Sequence, residues 1–340
     1  MKAAVNRGSK TDSKGVALIT VLLIVALAAA LATEMTARLQ MQMQRTTNVG
    51  FNQQAYWYAL GAEAFTKRVL IDSFKDDKDI TNLSQIWAQG ETSFPVDYGQ
   101  ITGEIVDLHA CFNVNALHST KESGGGNNGV KLNQYAVDAF KRMITQLEIE
   151  GVSEFEAQNM VDATIDWLDQ DSAITNIGGA EDNDYSAKEF PYLAANNLMA
   201  SINELRVIEH FTLPVIEKLK EMVCIIPEVT DLRLNVNTIS SDNALILAGM
   251  FDMSKSDAEQ IIGARGEDGW ASIEDFFAIN ELASVKVDDQ LKQQFVVDSE
   301  YFKLKASTNF NSSYYSLHSV LHIKDNQKVT VLSRSVGRFQ

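Results

Sequence analysis

The feature that most constrains this chain is an uninterrupted apolar run, GVALITVLLIVALAAALA at residues 15–32, with neither charge nor proline. A short polar leader precedes it and carries Lys2, Arg7, Lys10 and Lys14 against Asp12 alone. Behind it the sequence stays free of proline and compatible with a helix to about residue 72. Three readings compete for the run. A secretory signal has a basic start, an apolar stretch of about 7–15 residues and a small-x-small cleavage site. Ala30-Leu31-Ala32 would supply that site and leave Thr33 as the first residue. A single-span anchor needs roughly 17–25 apolar residues, and this run sits at the lower edge. The third reading cuts the leader after Gly15 and keeps the apolar helix from Val16 onward. The sequence beyond Ala32 favours it, because a discarded signal gives no reason for the same helical element to continue so far.

Residues 16–72 therefore read as one long helix. Met35, Leu39, Met43, Val49, Tyr56, Leu60, Phe65 and Val69 recur near a helical period, with Gly50 and Gly61 as tolerated weak points. Tyr56-Trp57-Tyr58 marks the place where this helix meets a globular body, and the charged stretch from Lys75 to Asp79 ends it in a solvated loop. Residues 103–112 alternate as a strand running into Asn113-Val114-Asn115. Residues 301–306, 314–323 and 328–335 do the same, with Asp325-Asn326 as a hairpin turn. Between them the pattern is helical, with candidate helices at 133–148, 154–168, 201–210, 213–222, 241–251, 255–265 and 272–279, several opened by Ser or Asn. FNVNAL at 112–117 and LNVNTI at 234–239 are near copies, each ahead of a set of helices. The expectation is two small helix-hairpin (SAM-like) units, each opened by an Asn-x-Asn turn whose side chains satisfy nearby amides. The fold class is α+β: a long helix on a small antiparallel sheet, with a large helical domain inserted. The expected boundaries are a leader at 1–15, the helix at 16–72, sheet segments at 73–114 and 298–340, and the insert at 115–297.

The formal charge is −16. Without the leader 25 basic residues face 44 acidic ones, giving −19, a body that repels nucleic acid and anionic membrane surfaces. Residues 124–129 fit G-x-G-x-x-G literally, but no strand leads directly into them. Residues 242–265 resemble a helix-hairpin-helix DNA module, yet Met253 and Ser254 stand where its glycines belong and five acids surround the turn, so it reads as a packing unit. The two cysteines, Cys111 and Cys224, read as one disulfide if the body lies outside the cytoplasm, with two buried thiols as the alternative.

Nothing in the sequence carries a familiar catalytic signature: G-x-S-x-G, H-E-x-x-H and C-x-x-C are all missing. His318 and His322 fall on one face of a strand about 13 Å apart, too far to share a metal. The densest constellation is DWLDQD at 166–171 followed by GGAEDNDY at 178–185. Five carboxylates, Asp169, Asp171, Glu181, Asp182 and Asp184, at a helix end and in a Gly-rich turn are what a hard cation such as Ca²⁺ seeks on an irregular loop. A solvated acidic loop is the plain alternative. An acid–base carboxylate pair of an exported hydrolase is another.

The basic leader ending in Gly, followed by a retained apolar helix, resembles the type IV prepilins and the type II secretion pseudopilins. KGVALITVLLIVALA, FNVNAL, DWLDQD, GAEDNDY, PYLAAN and LNVNT together are similar to the minor pseudopilin K (GspK) family across nearly the whole chain. That resemblance implies a prepilin peptidase cutting between Gly15 and Val16 and methylating the new amine. It implies a pseudopilin fold with a calcium-binding helical insert, the ligands carried over to Asp169, Asp171, Glu181, Asp182 and Asp184. It also implies a single-pass inner-membrane subunit with a periplasmic body. Such a subunit caps a pseudopilus together with minor pseudopilins I and J, to help export folded proteins, and is not an enzyme. Counting from Val16, the fifth residue is Thr20 where most members of the wider family carry Glu, which fits a subunit unsuited to the middle of a filament. A minor pilin of a type IV pilus or competence system would share the leader.

Overall fold

The structure, a computed structural model, describes residues 14–75, 79–118, 120–121, 130–324 and 328–337. Most of the leader, the Gly-rich segment 123–129 and the Asp325-Asn326 turn lie outside the described residues.

One helix, α1 (Lys14–Ser73, 60 residues), forms the spine; at 1.5 Å per residue it is roughly 90 Å long. All of residues 15–50 are exposed, and by length and composition α1 could cross a membrane. Within and just beyond the apolar run, the hydroxyls of Thr20, Thr33 and Thr36 donate to main-chain carbonyls a turn earlier, so these polar atoms are satisfied inside the helix. From Phe51 the helix meets the body, and Ala55, Ala59, Glu63, Thr66 and Leu70 become buried at helical spacing. This face is offset from the stripe of larger apolar residues. Tyr56, Trp57 and Phe65 stay exposed, while the small alanines let the helix backbone reach the sheet, where Thr308 Oγ1 donates to the Ala55 carbonyl at 2.9 Å.

That sheet has five antiparallel strands in sequential order: β1 (Thr92–Val96), β2 (Gly99–Asp107), β3 (Tyr301–Phe310), β4 (Ser313–Lys324) and β5 (Lys328–Val336). Phe302, Leu304, Ala306, Leu321 and Ile323 face α1 and pack with Leu70, Phe74 and Trp87. Glu63 is buried among them and accepts from Ser319 Oγ at 2.7 Å and from Arg334 at 2.7 and 2.9 Å, tying α1 to β4 and the edge strand β5. The first long strand starts earlier than its alternation implied and stops at Asp107. Residues 108–111 leave the sheet because Asp107 turns the chain, its Oδ1 accepting from the His109 amide at 2.8 Å. The helical insert thus begins at Leu108 rather than at Asn115.

Asp107 also accepts from Thr238 Oγ1 and Ser299 Oγ, both at 2.6 Å, and from Asn235 Nδ2 at 3.4 Å. Burial pushes its pKa up to about 6 against these donors. One carboxylate therefore joins the end of β2, the chain entering β3 and the second half of the insert.

The insert holds α2 (Gln134–Thr145), α3 (Glu154–Leu168), α4 (Asp182–Ser186), α5 (Leu213–Leu219), α6 (Leu245–Phe251), α7 (Lys255–Gly263), α8 (Ile273–Phe277) and α9 (Asp289–Lys292). Candidate helix 201–210 is only a 3₁₀ turn, Ile202–Arg206. The repeated Asn-x-Asn segments do the same work twice. Phe112-Asn113 pairs in parallel with Val223-Cys224, and Leu234-Asn235 pairs in parallel with Phe295-Val296, so each segment closes its unit against that unit's own end. In each, the first Asn accepts from the amide two residues on: Asn115 N at 3.3 Å, Asn237 N at 2.9 Å. The second Asn then bridges to a distant loop, Asn115 to Met199 and Asn237 to Trp270. Beside the first pair, Cys111 and Cys224 form a disulfide with Cα atoms 5.8 Å apart. The two units share one apolar core.

Candidate metal centre

The site grows from the C-terminal end of α3. A capping box starts this helix: the Ser153 amide donates to Glu156 at 2.9 Å, and Ser153 Oγ in turn caps the first turn. Its buried residues, among them Met160, Val161, Ile165 and Leu168, fix its rotation. That rotation sends Asp162, Asp166 and Asp169 off one side, at spacings of four and three. The following loop folds back over this side. Asn176 Nδ2 donates to Asp162 at 3.2 Å, the Thr175 amide donates to Asp166 Oδ1 at 2.9 Å, and His210 Nε2 lies 3.1 Å from the Gly178 carbonyl. Two glycines make the approach possible. A Cβ on Gly178 would lie 2.4 Å from Asn159 Cα, and one on Gly179 would lie 2.2 Å from Asp166 Oδ2.

This fold-back brings Glu181, at the start of α4, against Asp169 and Asp171. One ligand oxygen from each of the three lies within 4.8 Å of the other two. Asp169 and Asp171 are shaped by local turns: Asp169 Oδ1 accepts from the Asp171 amide at 3.3 Å and Asp171 Oδ1 from the Ala173 amide at 2.9 Å. Glu181 is buried, and among the described residues neither of its carboxylate oxygens has a hydrogen-bonding partner; Asp166 Oδ2 shares that condition. Such buried polar atoms are rare and call for an explanation. The electrostatics agree. Burial, and then the charge of Asp169, push the Asp166 pKa up to about 6. Burial, and then the charges of Asp166 and Asp169, push Glu181 up to about 7. A hard cation wants several oxygens from carboxylates on an irregular loop; the donor set and its orphaned oxygens fit one.

Two of the five residues singled out in the sequence are placed elsewhere. Asp184 Oδ2 accepts from the Glu181 amide at 3.0 Å, and Asp182 Oδ1 accepts from the Ala194 amide at 3.1 Å. Both carboxylates shape α4 and the loop after it, and neither joins the three gathered oxygens. Asp166, in contrast, stands behind the cluster. Its signal was the three-residue spacing to Asp169, which puts both on one helix face. At the other end of the molecule Gly15 and Val16 lie in the exposed first turn of α1.

The two units of the insert coincide with two family models. Both are described as Type II secretion system (T2SS), protein K; one matches residues 110–228 and the other residues 234–298. A type II secretion system protein K from Aeromonas hydrophila is 34% identical over 95% of this chain and 97% of its own length. The chain belongs to the type II secretion system protein K family. Protein K of Klebsiella pneumoniae is 33% identical over 96% of this chain and 97% of that one, so the likeness runs through α1 and the sheet as well as the insert. Among solved structures, the GspK-GspI-GspJ complex from the enterotoxigenic Escherichia coli type 2 secretion system contains a chain that superposes with a TM-score of 0.76 at 30% identity. The match covers 87% of this chain and all of that one. The long helix on an antiparallel sheet with a helical insert is therefore the protein K fold, and this chain is a minor pseudopilin of type II secretion.

Proposed function

We propose that this protein K caps or initiates a periplasmic pseudopilus with minor pseudopilins I and J, helping to drive folded proteins across the outer membrane. The observation that carries the reading is the separation of the molecule's two ends. The bare half of α1 leaves the sheet at the pole of the β1–β2 and β3–β4 turns, where Phe51 meets Phe310. The insert leaves from the opposite pole, between Asp107 and Tyr301. A copy stacked on the insert side would collide with it, whereas the membrane side stays open to other subunits. The assembly of a relative with GspI and GspJ supports those partners.

In this reading α1 holds the subunit in the inner membrane with its body in the periplasm. A prepilin peptidase removes the leader between Gly15 and Val16 and methylates Val16. Asp169, Asp171 and Glu181 hold Ca²⁺ with Asp166 behind them; the ion neutralises a buried acidic cluster and pins α3 to α4. Two measurements test the proposal. N-terminal sequencing of mature protein should return Val16, methylated, and Thr33 would overturn retention of the helix. Purified protein should co-elute with minor pseudopilins I and J at micromolar concentration, and separate elution of all three would overturn the partnership.

A further inference from the structure

Charge is divided unevenly along this chain. Residues 301–340, which contain β3, β4 and β5, hold six basic residues and two histidines against one acid, in a chain whose formal charge is −16. The sheet sorts these cations by side. Phe302, Leu304, Leu321 and Ile323 face α1. Alternation therefore puts Lys303 and Lys305 of the central strand β3, and His318, His322 and Lys324 of β4, on the opposite, outer face. Arg334 of β5 is engaged by Glu63 on the α1 side. On the outer face the register sets cations side by side. Lys324 stands opposite Lys328, an arrangement that costs stability. Lys305 stands opposite His318, whose pKa is pushed down to about 4 by burial and then by the charges of Lys303 and Lys305. Burial, and then the charge of Lys305, also lower the pKa of Lys303. Among the described residues Lys305 reaches Glu104 at 2.9 Å, while Lys303, Lys324 and Lys328 pair with no carboxylate.

We propose that this outer face docks an extended acidic segment of a partner protein, its carboxylates laid along the row Lys305, Lys303, Lys324. The inference stands apart from the partnership with minor pseudopilins I and J. Three features select the occupant. The first is length. Lys305 lies level with His318, six residues before Lys324, so the row runs roughly 20 Å along the strands. That is too long for one phosphate and matches about six extended residues. The second is position, which disfavours lipid headgroups. Lys303 stands seven residues from Phe310, the ring that meets Phe51 at the pole where α1 leaves the sheet. The apolar run ends nineteen residues before Phe51. These steps of roughly 24 Å along the strand and 28 Å along the helix set the row about 50 Å from the apolar run. The third is charge, which disfavours nucleic acid. A long polyanion would reach the remainder of the chain, where residues 1–300 carry 23 basic and 44 acidic residues. A short segment feels the cations it touches, because charges beyond about 8 Å are screened at physiological salt.

The test uses the full-length chain in nonionic detergent and a fluorescein-labelled hexaglutamate peptide, read by fluorescence anisotropy. Wild-type protein should bind the peptide, and more weakly as salt is raised. The double variant Lys303→Gln, Lys324→Gln should weaken binding about fivefold or more, whereas Lys303→Arg, Lys324→Arg should retain it. The Gln pair should leave Tm unchanged or raised, because it removes contacts between like charges. No binding by wild type at millimolar peptide, or equal binding by the Gln pair, overturns the proposal. Dihexanoyl-phosphatidylglycerol, or an oligothymidylate of equal charge, that displaces the peptide as well as unlabelled peptide does overturns the acidic segment as occupant. A Gln pair that melts well below wild type overturns the reading of these lysines as a docking row. Lys324→Gln alone, at an exposed position, then gives a second comparison: weakened binding at unchanged Tm restores the row, and unchanged binding removes it.

Discussion

If the acidic cluster holds Ca²⁺ as proposed, removing the ion should expose a loss of stability with rising pH. Asp166 rises from 3.8 to about 6 and Glu181 from 4.5 to about 7 in the folded chain. A raised folded pKa means that the folded state holds the proton more tightly. The stability it contributes is complete below about pH 4 and is lost as the pH climbs through 6 to 7. Each shift of about two units corresponds to about 3 kcal/mol. Because the charge of Asp166 itself raises Glu181 and both feel Asp169, the shifts are not additive and the sum is smaller, about 4 kcal/mol. In the proposed site calcium would replace the protons as the neutralising charge and hold the carboxylates ionised, so the loss should vanish when it is present. For a domain of this size 1 kcal/mol moves Tm by about 2–4 °C, so the two conditions should differ by roughly 8–16 °C at pH 8. Differential scanning calorimetry of the full-length chain, in EDTA and in millimolar Ca²⁺ at pH 5 and pH 8, measures this directly. The EDTA curve should fall with pH and the calcium curve should not. Equal Tm values in EDTA and calcium at pH 8 would refute the metal centre, and an EDTA curve that rises with pH would refute the electrostatic account of the cluster.

Three further outcomes are expected from the packing. Gly179→Ala places a methyl group 2.2 Å from Asp166 Oδ2 and should reduce the calcium-induced rise in Tm by at least half, leaving the far-UV circular dichroism spectrum intact. Glu63→Gln should destabilise by about 2 kcal/mol, less than a fully buried pair because Arg334 is half exposed. Burial alone would raise the Glu63 pKa, but the hydrogen bonds from Arg334, Ser319 and Lys67 hold it down to about 2. Its contribution is therefore present above about pH 4.5 and lost toward pH 2 in wild type, a dependence that calorimetry should no longer find in the variant. Replacing Cys111 and Cys224 together by Ala opens a crosslink spanning 113 residues. It should cost about 4–5 kcal/mol on the chain-entropy account, read as a lowered denaturation midpoint with a steeper slope, because the unfolded chain is no longer held compact.

Long or repeated patterns were what the sequence made legible. The 60-residue helix followed from an apolar run that continues without proline, and α3 emerged with its ends in place because Ser153 and Glu156 form a capping box. The Asn-x-Asn echo revealed two units because identical side chains were solving an identical turn problem. Contacts between distant segments were illegible. The buried face of α1 is built on Ala55 and Ala59, and a hydrophobicity pattern weights large residues over small ones. The strand at 99–107 ends where Asp107 meets Thr238 and Ser299, residues that no local pattern connects to it. The acidic cluster was legible as a concentration of charge but not as a division of labour. Asp182 and Asp184 have the same composition and neighbourhood as Glu181, and only the fold of α4 makes them hydrogen-bond acceptors for main-chain amides.

Two independent features support the proposed place at the end of a filament: the insert on one pole of the sheet, and Thr20 near the start of α1. A repeating subunit needs both poles of its body available, one for the copy above and one for the copy below. Here one pole gives rise to residues 108–298, tied to the sheet by a buried carboxylate that touches the second unit of the insert and the chain entering β3. If the leader is cut after Gly15 as proposed, the resemblance to pilins implies a Glu at the fifth residue of a repeating subunit, there to neutralise an adjacent subunit's amine, since an unpaired charge in an apolar bundle is costly. Thr20 occupies that position, and its hydroxyl is turned onto the carbonyls of Val16 and Ala17 at 3.1 and 2.9 Å. It is satisfied within its own helix and brings no charge to a neighbour. Either feature alone would disfavour a central position: the insert blocks addition above, and Thr20 cannot neutralise an adjacent amine. Together they support the proposed place at the tip, where nothing stacks above the subunit and no preceding amine needs a partner.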